Sequence, residues 1–332
     1  MLAGPACTGY LAGGRPNDQG GCAACDGRGN DQRVPVDLPL ADPDLPGPGD
    51  LGASDLPPIT PGTPKRLTTD GANDQNPLWS PDGTRLAFST LRAHGNFDVW
   101  IMGADGSGQK ALTSMPQNDA VNLPGSAWCK SSDRIVFASD KDGPEDIWTI
   151  KPDGTGLQQV SKSAYQDQEP SWSPTCDRIA FQSERDGNWD IYVMKADGSD
   201  VTRLTTDPAD DWAPNWSPTS DAIVFQSNRS GTWKLWTVQA TGGSPTQLTG
   251  GSSEDTDCSY SRDGKQVVFS TDAGGSAGAR IAVIRVTQPS KVVLVTSGNA
   301  YDGAPCWSPG GRTVAFESDR SGNLDIWTVD LW

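Results

Sequence analysis

The sequence predicts an all-β fold, a six-bladed β-propeller of four-stranded antiparallel blades. Three observations predict it. The phrase Pro-x-Trp-Ser-Pro recurs at Pro77–Pro81, Pro170–Pro174, Pro214–Pro218 and Pro305–Pro309, with degenerate copies around Trp128 and Tyr260. The anchors Trp79, Trp128, Trp172, Trp216, Tyr260 and Trp307 are then spaced by 49, 44, 44, 44 and 47 residues, a period typical of propellers and solenoids, in which each repeat stacks on its neighbours. Finally, the sixth copy stops after its third strand, while a spare strand precedes the first copy.

Each repeat reads as four short strands, a to d. Strand a ends on the anchor ring. A tight turn follows, as in Ser80–Gly83, and leads to the alternating, β-prone strand b: Arg85–Thr90, Arg178–Ser183 and Thr313–Ser318. A polar hairpin such as Glu184–Asn188 leads to strand c, seen in Asp98–Met102, Asp190–Met194 and Asp325–Val329. Asp-Gly pairs at Asp105–Gly106, Asp153–Gly154 and Asp197–Gly198 then suit a hairpin whose central residues need positive φ. Strand d is Lys110–Thr113 or Thr202–Thr205. Hairpin-linked strands without a helical period build antiparallel blades.

The chain ends separate a propeller from an open solenoid. Residues 65–69 are expected to pair with strand 325–330 as the missing strand of blade six. Closing the ring this way removes an unpaired, aggregation-prone edge. Residues 65–332 therefore form the propeller domain.

The repeat resembles that of the TolB-like propeller family, and blade three matches that pattern nearly throughout from Asp167 to Tyr192. The resemblance implies the propeller fold and says little about function. The family spans periplasmic scaffold proteins, propellers of prolyl-oligopeptidase-like enzymes and oligogalacturonate lyases. Here a Pro-rich segment stands where TolB proteins carry an α/β domain.

Residues 1–64 are expected to be a disordered tether. Asp, Leu and Pro recur through residues 31–64 without a core-forming pattern, which favours an extended spacer. Cys7 follows small residues and precedes this linker, as the lipidated Cys of envelope lipoproteins does, so it is the lipidation candidate. The competing reading is an ordinary cytoplasmic start. No stretch is long and apolar enough to span a membrane.

The net charge is −16, which repels phosphate backbones and argues against nucleic acid as a partner. Seven Cys is an odd number. Cys22 and Cys25 resemble half of a zinc site, but structural zinc takes four ligands. Cys129, Cys176, Cys258 and Cys306 lie in or beside strand a of neighbouring blades. Cys129–Cys176 and Cys258–Cys306 are the expected inter-blade disulfides, which would imply an oxidising compartment. The alternative is four small buried hydrophobes.

The d–a loops and b–c hairpins are expected to share one face. Asp74, Asp167, Asp211, Asp255 and Asp302 each stand five residues before an anchor, and Asp119 stands nine before Trp128. Such a ring reads either as a site for a divalent cation or basic ligand, or as caps and ion pairs within the blades, with Arg185, Arg229 and Arg320 as partners. The second is favoured, since a residue repeated in every blade suits a role in the blade. Nine of the 13 Trp fall in strands a and c. Of the others, Trp189, Trp212 and Trp233 are expected on one sector of the loop face, with Trp212 the leading contact residue and Tyr301 a weaker one. Clustered exposed aromatics mark binding surfaces.

Catalytic motifs are lacking. The match to Gly-x-Ser-x-Gly at Gly274–Gly278 falls in a Gly-rich hairpin, whereas a nucleophile elbow needs a following helix and a His; His94 is the single His. The expected function is a non-catalytic, monomeric binding or scaffold module of the cell envelope, periplasmic or anchored to the outer membrane. It would engage a protein or polysaccharide through the loop face and need no cofactor. The alternative is a carbohydrate-active lyase or hydrolase using the carboxylate ring.

Overall fold

The computed structural model describes residues 59–331 except 94, 122–126, 130–132, 220 and 274–277. The described strands form six antiparallel sheets, each running a-b-c-d outward from the axis. Strand a is Asp74–Trp79 in blade one, Asp167–Trp172 in blade three, Asp211–Trp216 in blade four, Asp255–Tyr260 in blade five and Asp302–Trp307 in blade six. In blade two it is divided into Asp119–Val121 and Trp128–Cys129, both paired with Arg134–Ser139. Contacts between successive blades continue round the ring, including those from blade six to blade one.

The two ends of the propeller close the circle. Lys65 pairs with Thr328 and Arg66 with Trp327, while the Leu67 N–H donates to the Ile326 carbonyl at 2.8 Å. The regular strand is only Lys65–Arg66, but side chains extend the join. Arg66 reaches the buried Asp325 carboxylate at 2.7 Å, and the Thr68 hydroxyl accepts the Ile326 N–H at 2.9 Å.

Strand b departs from the expected alternation. Its last five residues are buried in every blade, because each blade is packed between two others and neither face meets water. Phe88, Phe137, Phe181, Phe225, Phe269 and Phe316 occupy the same central position, and all have 0% exposure.

Strand a carries a bulge near its start. Asn76, Glu169, Ala213, Asp257 and Ala304 have φ between 46° and 54°, and the register with strand b shifts there. Pro follows the bulge in blades one, three, four and six; it lacks an N–H and is tolerated at such a break. Neighbouring blades satisfy the exposed amides. Gln182 accepts the Ala213 N–H at 2.9 Å, Gln226 the Asp257 N–H at 2.8 Å, and Glu317 the Asn76 N–H at 2.9 Å.

Candidate functional site

Every strand a starts at the loop face, and the ring of aspartates lies there. Their side chains turn into the blades. Asp74, Asp119, Asp167, Asp211, Asp255 and Asp302 are all buried. Arg92, Arg185, Arg229 and Arg320 rise from the b–c hairpins and hold Asp74, Asp167, Asp211 and Asp302 at 2.5–2.6 Å. Each guanidinium also lies over the central Phe of strand b and an aromatic ring of strand c, at 4.9–5.6 Å. Blade five has Ala273 in place of the arginine, and Lys234 of blade four reaches Asp255 instead at 3.2 Å.

Among the described residues Asp119 has no such cation. Lys141 occupies the equivalent hairpin position but lies over Trp148 at 4.9 Å and reaches Asp142. Burial pushes the Asp119 carboxyl up to about 6. Four of the carboxylates are engaged in ion pairs within their blades and Asp255 in one between blades, and among the described residues no group of three or more His, Cys, Asp or Glu is placed to hold a metal ion.

The three extra tryptophans do come together. Trp212 meets Trp189 edge to face with centroids 6.4 Å apart, and meets Trp233 at 4.9 Å. All three are half-buried. Backbone pairing sets them side by side, since the Asp211 N–H donates to the Trp189 carbonyl and the Asp255 N–H to the Trp233 carbonyl. At the equivalent junction of blades two and three the residues are Glu145 and Gln168, which hydrogen-bond to each other. The repeat therefore presents a ring of variable side chains at the loop face, and one sector of it is aromatic.

Tyr301 is half-buried and lies in another sector, apart from the three tryptophans. Gly303 lacks a side chain, and a Cβ there would stand 2.2 Å from the Tyr301 hydroxyl. The ring folds inward over Gly303, and its hydroxyl bonds to Glu317. Burial pushes the Tyr301 hydroxyl well up and raises Glu317 to about 7; the nearby Asp257 carboxylate adds to the Glu317 shift, while the Asn76 N–H opposes it. The Asp257 carboxyl is also raised by burial and accepts the Ala304 N–H. This interior acidic group was missed from sequence. Its signal lay in the alignment of repeats: the residue at the Glu317 position is Ser89, Ala138, Gln182, Gln226 or Ser270 in the other blades.

Cys129 and Cys176 form a disulfide between blades two and three, with Cα atoms 5.8 Å apart. The second expected pair is corrected, because Cys258 and Cys306 are free buried thiols. They occupy successive positions of the repeat, which point to opposite faces of a strand. Cys258 packs with Val224 and Leu235 toward blade four, and Cys306 packs with Leu78 and Trp79 toward blade one. Burial raises both thiols, Cys306 to about 11. Cys7, Cys22, Cys25, His94 and residues 274–277 lie outside the described residues.

At the opposite face, where the a–b turns lie, the six anchor rings surround a cavity of about 330 Å³. The chain joins the propeller on this face, where Pro61 bridges to Leu331 and the Leu331 N–H bonds to Arg312 of the blade-six turn.

Known proteins resemble the chain in the same terms. The model of the TolB beta propeller domain matches residues 116–212 and 154–331. A protein TolB homolog of Chlorobium luteolum is 30% identical over 110 residues, covering 33% of this chain and 24% of that protein. An uncharacterized protein of Agrobacterium fabrum is 32% identical over 115 residues, covering 34% of this chain and 36% of that protein. These matches span about a third or less of the curated relatives. Among solved structures, TolB from Acinetobacter baumannii has a TM-score of 0.59 at 20% identity, covering 78% of this chain and 63% of that one. The likeness at that identity is one of fold. The family-model match covers most of the propeller, and the chain belongs to the TolB beta-propeller family.

Proposed function

We propose that this protein is a non-catalytic binding module of the cell envelope, and that it engages a protein or glycan through the loop face. The observation that carries this reading is the contact of Trp212 with both Trp189 and Trp233. Half-buried indoles offer large, rigid contact area at low entropic cost, and such residues dominate binding surfaces. The carboxylates beneath them are occupied in holding the blades together. The expected domain division, with residues 1–64 as a tether and Cys7 as its lipidated end, is part of the same proposal. A relative in Anaeromyxobacter dehalogenans, 51% identical over 43 residues that make up 9% of its length, is named a Tol-Pal system protein. That relationship favours an envelope setting.

An oligogalacturonate lyase solved with manganese shares the fold, with a TM-score of 0.57 at 12% identity over 83% of this chain and 97% of that one. The enzyme reading is the weaker one here, because the aspartate ring is committed to ion pairs and the chain has one His.

The test is capture from solubilised envelope and from a glycan array, followed by titration of whatever is retained. Trp212→Ala should weaken binding at least about tenfold, the loss of one central aromatic anchor. Unchanged affinity for every retained ligand would remove the loop face from consideration.

A further inference from the structure

The cavity at the a–b turn face differs in chemistry from the rest of the molecule. Its wall is made by Trp79, Trp128, Trp172, Trp216, Tyr260 and Trp307, and prolines of the turns form much of its rim. Pro81, Pro174, Pro218 and Pro309 occupy one repeat position, which in blade five is Arg262 and in blade two is Lys130, outside the described residues. Arg262 is exposed, and among the described residues it is the one charged side chain in the lining. A wall without a carboxylate is unexpected in a chain of net charge −16.

Asp133 accepts the Trp128 indole N–H at 3.4 Å but is not part of the lining, and three other turn carboxylates are directed elsewhere. Asp82 accepts the Ser80 hydroxyl and the Thr84 N–H. Asp177 accepts the Ser173 and Thr175 hydroxyls. Asp263 accepts the Ser261 hydroxyl and the Lys265 N–H. Each closes its own turn.

Charge decides the class of ligand. Aromatic walls can hold an ammonium group through ring faces. Here Arg85 already lies over Trp128 at 5.1 Å and Arg178 over Trp216 at 4.8 Å. Those two ring faces are already occupied by cations outside the lining, and a cationic ligand would meet Arg262 with no carboxylate in the lining. An anion with an apolar body meets complementary groups throughout, since guanidinium binds carboxylate through two parallel hydrogen bonds. The volume lies at the small end of the range for small-molecule sites.

We propose that this cavity binds a small apolar carboxylate, with its hydrocarbon or aromatic body between the anchor rings and its carboxylate on Arg262. The site is on the face opposite Trp212, so it stands independently of the loop-face reading.

The experiment is calorimetric titration of the full chain with 1-naphthoate and with its uncharged analogue 1-naphthamide. One naphthoate should bind per chain. Arg262→Glu should weaken it at least about tenfold. Arg262→Pro, which restores the turn residue of four other blades, should weaken it to the level of naphthamide. Naphthamide binding should be the same in all three proteins, and Trp212→Ala should leave naphthoate binding unchanged. The proposal is overturned by absence of naphthoate binding at millimolar concentration, by naphthoate affinity that ignores both Arg262 substitutions, or by equal affinity for the two probes.

Discussion

Arg229 donates to both oxygens of the buried Asp211 carboxylate, at 2.6 and 2.7 Å. The same guanidinium lies 5.0 Å from the Trp236 ring and 5.6 Å from Phe225, and its Nε bonds to Ser227 at 2.9 Å. Hairpin, strand a and core are thus tied at one point in each of four blades. Burial still holds the Asp211 carboxyl above its ordinary range despite the arginine. Removing the cation therefore strands a charge. Arg229→Ala is expected to cost about 3 kcal/mol, measured by urea unfolding. The loss should be greater at pH 7.5 than at pH 5, where the stranded carboxyl can take up a proton.

Glu317 makes stability fall as pH rises. Its folded-state value is about 7, against an ordinary 4.5, so between these limits the folded state holds a proton that the unfolded state has released. The contribution is most favourable below pH 4.5 and is lost on passing upward through 7, by roughly 3 kcal/mol at most. Glu317→Gln keeps an acceptor for the Asn76 N–H and removes the charge that faces Asp257. This variant should be more stable than the parent at pH 8 and should lose the slope between pH 5 and 8. Parallel unfolding curves for the two proteins across that range would refute the assignment.

The disulfide should matter more than its single bond implies. Cys176 has φ of 58°, in a turn position that is Gly83, Gly264 or Gly311 in other blades, and it closes a sequence separation of 47. Reduction is expected to destabilise the propeller by about 2–4 kcal/mol. Peptide mapping after unfolding without reductant should find Cys258 and Cys306 alkylated, and Cys129 and Cys176 protected. Alkylation of all four would exclude the bond.

Ring closure can be tested by shortening the chain. A protein beginning at Thr69 loses the pairing of Lys65 and Arg66 with the last strand, the buried Leu67 side chain and the Arg66–Asp325 ion pair. The edge left on Asp325–Asp330 is then free to pair with other chains. Size-exclusion chromatography should show soluble aggregate or loss of soluble protein. A well-behaved monomer of parental melting temperature would show that closure contributes little.

Much of the fold was legible in single residues. Trp79 and its five counterparts set the period, and Lys65–Thr69 matched the strand lacking after Asp330. Both are local signals of alternation and turn chemistry repeated six times. The division of strand a in blade two was foreshadowed by the longer interval between Asp119 and Trp128. The burial of both faces of strand b was not, because a single blade cannot report that it is covered on each side.

The candidate sites were legible only in part. Arg185, Arg229 and Arg320 were recognisable as partners of the aspartates, since each stands 18 residues after its carboxylate. The direction of Tyr301 was not legible, because it depends on the missing side chain at Gly303. Cys258 and Cys306 were paired wrongly because a one-residue difference in position on a strand reverses the face.

The number of blades, the order of strands and the joining of the two ends were determined by the sequence alone, because period and strand pattern are properties of neighbouring residues. Tertiary structure decided what the repeated positions do. Curving six sheets about one axis brings together residues far apart in the chain, turning the anchor rings into a shared cavity wall and placing Glu317 beside Asp257 and Tyr301. Burial and charge at those meeting points depend on all six blades at once.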